Sequence, residues 1–127
     1  MATDNLPTIN IEFLVQAKAC YHPTKYLPKN WEGTILDLIN VPSIPDRDKV
    51  WAFTRAKVVP LSLHAEFAKK CTTVDVTNIA QAERCAAIAT DAAKANLPFT
   101  TAAAAYATAN TVVSDRKQVE FIRNLLE

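Results

Sequence analysis

The sequence predicts an all-α protein: a compact bundle of about six helices arranged round a central alanine-rich helical hairpin. Three observations carry that prediction. Residues 77–113 hold two alanine-dense segments joined at Asn96-Leu97-Pro98-Phe99, and alanine is the best helix former because it loses no side-chain rotamer freedom. The chain contains one glycine in 127 residues, whereas sheets and long loops ordinarily use more. Its seven prolines fall mostly between segments of helical period, where they act as punctuation.

Residues 1–7 read as a short flexible tail. The first helix is expected over 8–19, with Thr8 as N-cap and Ile11, Leu14, Val15 and Lys18 on one face. It ends at Cys20-Tyr21-His22-Pro23, because a proline disfavours helix at the residue before it. Residues 24–29 read as a loop or single turn. A short helix over 31–39, capped by Asn30, presents Trp31, Ile35, Leu38 and Ile39 as an apolar stripe. The third helix spans 46–57 with Pro45 as its first residue, and Val50, Trp51, Phe53 and Ala56 are its core candidates. The fourth, 61–74, puts Leu61, His64, Phe67, Ala68 and Cys71 on one face and Glu66 and Lys70 at i,i+4 on the surface.

The hairpin follows. Over 79–95, Ile79, Ala82, Ala86, Ala89 and Ala93 recur at three- and four-residue steps, with Cys85, Ile88 and Ala92 beside them. Gln81, Arg84, Asp91 and Lys94 occupy the narrower polar arc, so the wide apolar side is expected to be covered by other helices. Asp75 or Thr77 can cap the helix, Asn96 suits a left-handed C-terminal position, and Pro98 stops continuation. Thr100 or Thr101 caps the second arm over 102–110. Each alanine buries little area; at about 25 cal/mol per Å², aromatics and leucines outside the hairpin should supply much of the stability. Ser114-Asp115 could start a new helix. The phase of Ala105, Ala109, Val112, Arg116, Val119 and Ile122 instead favours one helix running from 102 to the end.

Composition bounds the function. The length suits a single domain, 1–127, and half the residues are hydrophobic, which argues against disorder. Fourteen basic and thirteen acidic residues are spread along the chain, so no electrostatic nucleic-acid footprint is expected. There is no secretory signal pattern and no apolar run long enough to span a bilayer. Cys20, Cys71 and Cys85 are odd in number and lack CxxC spacing. They read as reduced, buried thiols of a cytoplasmic protein.

No motif points to catalysis, a cofactor or a metal. His64-Ala65-Glu66 has the wrong spacing for HExxH, and a single glycine excludes a glycine-rich phosphate cradle. His64 reads first as a hydrogen-bonded core or boundary histidine; a catalytic pocket round it is the alternative. Two stretches stand out as candidate protein-binding surfaces. Tyr21, Lys25, Tyr26, Lys29 and Trp31 interleave aromatic and basic residues, a mixture found at interface hot spots, although Tyr26 and Trp31 could equally cover helix ends. Asp46, Arg47, Asp48 and Lys49 form a compact charged cluster at a helix start, where helix-start electrostatics offers the plainer explanation.

The order of several segments resembles a loose family of small all-helical bacterial and phage proteins labelled as immunity proteins. The matching pieces are Ala17-Lys18-Ala19-Cys20, Trp31 followed by 36–39, the run from Ile44 to Trp51, Leu63-His64-Ala65-Glu66-Phe67-Ala68 with Cys71, the alanine-rich pair, and the closing stretch 116–126. The resemblance implies a compact helical domain that binds another protein, and no catalytic residues. The expected function is therefore non-enzymatic: an inhibitor or immunity-type protein of bacterial or phage origin that occludes a surface of a toxin or host-defence component. Its place would be the cytoplasm, the host's if phage-encoded. The alternatives are a structural, oligomeric phage component and a small enzyme with a His64-centred pocket.

Overall fold

The computed structural model describes residues 6–17 and 23–127. Among them the chain forms seven α-helices and one two-stranded ladder. Helix α4 (Leu61–Cys71), α5 (Ile79–Lys94) and α6 (Pro98–Ala109) pack on one another as a three-helix unit. Alanines make this packing close: Ala82 and Ala89 on α5 and Ala105 on α6 have no exposed surface. Threonines on α6 are buried without loss, because Thr101 donates to Leu97 O at 2.7 Å and Thr108 to Ala104 O at 2.8 Å, satisfying their hydroxyls within the helix.

Helix α7 (Asp115–Leu126) packs on α3 (Asp46–Phe53) and on α4, and the short α2 (Ile35–Ile39) fills the gap beside α3 and α7. Large side chains meet here, as the area argument requires. Phe53, Phe67, Ile35, Ile39 and Ile122 are fully buried, and the Phe53 and Phe67 rings meet edge to face at 5.1 Å. Arg123 on α7 reaches back to the end of α2, donating to Ile39 O at 3.3 Å and Asn40 Oδ1 at 3.4 Å. A cation there also complements the helix dipole.

Near the N-terminus, β1 (Ile9–Asn10) pairs antiparallel with β2 (Glu32–Gly33), placing Ile9 opposite Gly33. Helix α1 (Ile11–Gln16) follows β1 directly. Thr34 and Asp37 close a capping box on α2.

Several expectations are corrected. The first helix is shorter than 8–19 because Ile9 and Asn10 are taken into the ladder, and Asn10 Oδ1, not Thr8, accepts from Phe13 N at 2.9 Å. The proposed end of that helix at 18–22 and the tail at 1–5 lie outside the described residues. Leu6 is already in the core. Trp31 and Glu32 are not helical; the cap is Thr34. The third and fourth helices stop at Phe53 and Cys71, and Pro45 precedes the first helical residue of α3, Asp46. Asn78 caps α5, and Pro98 opens α6. Glu66 and Lys70 do not pair; among the described residues the surface ion pair is Arg116–Glu120 at 3.9 Å.

The largest correction concerns the end of the chain. One helix does not run from 102 to 126, since α6 stops at Ala109 and α7 starts at Asp115. The β-branched run Thr111-Val112-Val113 is drawn into backbone pairing with residues 75–77. Thr77 N donates to Thr111 O at 2.7 Å and Val113 N to Asp75 O at 3.0 Å. Ser114 then accepts from Lys117 N and caps α7. The hairpin of α5 and α6 forms the most extensive helix pair; within it α6 lies inside, whereas α5 packs on α4 and α6 and leaves Ile79 and Ile88 about half exposed.

Candidate functional site

The break between α6 and α7 shapes the most developed concavity. The first turn of α3 places Arg47 and Asp48 at its rim, and Trp51 follows one turn later. The end of α6 brings Tyr106 and, at the C-cap four residues on, Asn110. The first turn of α7 brings Asp115 and Gln118. Together with Val50, Ala109 and Val112 these residues line a groove of about 410 Å³.

One wall is stiffened by a cation. The Arg55 guanidinium lies 4.6 Å from the Trp51 ring centroid and 4.8 Å from that of Tyr106. It donates through Nε to Trp51 O at 2.9 Å. Burial lowers the Arg55 pKa, partly opposed by Tyr106, but a guanidinium remains charged throughout the physiological range. The two rings are thus held by a cation between them.

Gln118 is 2% exposed. Its Nε2 donates to Asp115 Oδ1 at 3.4 Å. Turning the amide over would set its oxygen against that carboxylate, so Asp115 fixes which way it faces. Oε1 is buried with no hydrogen-bond partner among the described residues. A buried acceptor left unpaired is costly.

A shallower depression of about 590 Å³ adjoins the groove through Arg47, Asp48 and Asp115, and is completed by Lys25, Tyr26, Pro45 and Asp46. Lys25 and Tyr26 flank the end of the 3-10 turn Pro23–Lys25, and the Lys25 ammonium lies 5.4 Å from the Tyr26 ring centroid. Parts of the two stretches singled out in the sequence therefore share one face. Lys25, Tyr26, Asp46, Arg47 and Asp48 are brought together. Lys29 is exposed and Trp31 half-buried against the core, and neither lines the groove or the depression. Tyr21 lies outside the described residues. Lys49 turns inward, at 5% exposure. Burial lowers its pKa, nearby Arg123 lowers it further, and Asp46 opposes both.

Trp51, Tyr106, Asn110, Asp115 and Gln118 were not read as site residues. Gln118 carried a local signal: a glutamine one turn before Ile122 and next to Val119, on the buried side of an amphipathic helix. The remaining residues had none, because their juxtaposition depends on the break at 110–114.

The other candidates belong to the core. His64 has no exposed surface, and its Nε2 lies 2.7 Å from Phe53 O. The ring packs edge to face on Phe53 at 5.3 Å and lines neither the groove nor the depression. Cys71 is buried and its thiol is pushed up to about 12 by that burial, which leaves little thiolate at neutral pH. Among the described residues no three histidine, cysteine or acidic side chains converge as metal ligands, and no helix is long and apolar enough to cross a membrane.

The helical bundle with a polar, aromatic-walled groove defines a small α-helical protein with one developed concave face. Comparisons of the chain with protein-family models, curated proteins and solved structures found no match.

Proposed function

We propose that the chain is a non-enzymatic protein-binding protein that acts by covering a surface of its partner. The observation that carries this reading is the convergence of Lys25, Tyr26, Asp46, Arg47 and Asp48 on one face, around a groove walled by Trp51 and Tyr106. Arginine, tyrosine and tryptophan dominate binding energy at interfaces, and mixed charges fix the register of a partner. A bacterial or phage origin and a role in the cytoplasm, as an immunity protein or an inhibitor of a host defence, follow from the sequence resemblance.

Site-specific photo-crosslinking in cells tests the face. A photoreactive residue at Arg47 is expected to yield one dominant protein adduct, absent when it is placed at exposed Glu66 on α4. With the captured protein purified, Lys25→Glu and Arg47→Glu should each weaken binding at least tenfold while thermal unfolding is unchanged, since Lys25 is exposed. Equal adducts from both positions, or full affinity in both variants, would reject this surface.

A further inference from the structure

We infer that the groove between α3, α6 and α7 receives a guanidinium group, supplied by an arginine side chain of the protein partner. The inference rests on the protein-binding reading and specifies what the partner must present. Three features select the group. Gln118, one of the residues lining the groove, carries a buried acceptor without a partner among the described residues, Oε1, so the missing partner is a hydrogen-bond donor. Asp48 and Asp115 add carboxylates against one lining cation, Arg47. With Arg55 beside Trp51 and Tyr106 the nearby charges balance, and what the two carboxylates add to Oε1 is further acceptor capacity for a donor.

Trp51 and Tyr106 supply aromatic surface, which favours a planar, weakly hydrated cation over a compact, strongly hydrated ammonium. The protein already seats one guanidinium, that of Arg55, between these same rings. A metal ion does not answer to the same features, since no three ligating side chains converge among the described residues. The groove's 410 Å³ far exceeds the ~30 Å³ share of one water. A guanidinium offers five N–H donors in a fixed fork, enough to meet Oε1 and a carboxylate at once.

The test uses the full chain and a blocked tripeptide, acetyl-Gly-Arg-Gly-amide, followed by NMR. The Gln118 side-chain amide and the Trp51 indole N–H should shift saturably. The citrulline peptide, which keeps the shape and loses the charge, should bind at least tenfold more weakly, as should the lysine peptide. Gln118→Met and Asp48→Asn should each weaken the arginine peptide at least fivefold. If Gln118→Met fails to fold, Asp48→Asn, on the groove rim, decides. The proposal is overturned by the absence of saturable shifts, by equal affinity for the citrulline peptide, or by undiminished affinity in the folded variants. Agmatine binding tenfold more tightly than the peptide would overturn the assignment to a partner's side chain in favour of a free guanidinium compound. An Arg47 crosslink to a protein alongside a silent peptide titration would reject the guanidinium and leave protein binding standing. Peptide binding without any crosslink would do the reverse.

Discussion

His64 shows how one buried residue couples the fold to pH. Its Nε2 can bond Phe53 O only as a donor, so the neutral ring carries its proton on Nε2. Nδ1 is then a bare acceptor, buried and without a partner among the described residues. Protonating it would put a cation into the core beside Phe53. Burial accordingly holds the His64 pKa below the ordinary 6.5; the bond to Phe53 O opposes this and Arg55 reinforces it. In acid the unfolded chain therefore takes up this proton before the folded one. The His64 contribution to stability is complete above the unfolded value near 6.5 and declines as pH falls from there toward the folded pKa. The slope is at most ~1.4 kcal/mol per pH unit. His64→Gln keeps a donor for Phe53 O and removes the titration. Urea unfolding at pH 8 and pH 5 should show a smaller acid-induced loss in the variant than in the parent. Equal losses would place the acid sensitivity elsewhere. The core role of His64 was legible from Leu61, Phe67, Ala68 and Cys71 at helical steps around it. The unpaired state of its Nδ1 was not, because it depends on what the rest of the bundle brings near.

At the level of elements, the sole glycine occupies a place that explains its retention in physical terms. Gly33 pairs with Ile9 in the ladder. A Cβ added there would stand 2.8 Å from Asp37 Oδ2 and 3.2 Å from Trp31 Cζ2. The same Asp37 Oδ2 accepts from Thr34 N at 2.9 Å in the capping box of α2. Gly33→Ala must therefore displace the capping carboxylate or the indole. The expected cost is ~1–2 kcal/mol, the range for a lost cap, read as a lower urea midpoint. Asp37→Asn combined with Gly33→Ala should then cost less than the sum of the two changes.

Element ends were legible where the signal is local. Asn96 has φ 59°, and Asn96 N and Leu97 N bond back to Ala93 O and Ala92 O, the Schellman arrangement expected of a left-handed residue after a helix. Pro98 then opens α6. The break at 110–114 was hidden because helical phase continues through it. What overrides that phase is pairing with residues 75–77, more than thirty positions away in the sequence. The same non-locality conceals the groove, whose walls come from 47–51, 106–110 and 115–118.

Across the whole molecule, stability is concentrated where α4 and α6 are enclosed by their neighbours. Helix α4 meets α5, α6 and α7, and α6 meets α3, α4 and α5. Helix α5, although alanine-rich, leaves an outer face open to water. Phe67 on α4 has no exposed surface and packs on Phe53, whereas Ile88 on α5 is 46% exposed. Phe67→Ala removes buried aromatic surface and leaves a cavity, a change that typically costs ~3–5 kcal/mol. Ile88→Ser lies at an open surface, where substitutions usually stay within ~0.5 kcal/mol. Native-state hydrogen exchange gives the spatial counterpart. The slowest amides should lie in α4 and α6 and open with the global unfolding energy, while those of α1 and the ends of α5 exchange through smaller openings. Phe67→Ala should speed exchange in α4, α6 and α7 together, because one core joins them. Acceleration confined to α4 would instead show that the bundle opens helix by helix, and the groove would then rest on a scaffold that yields independently of its walls.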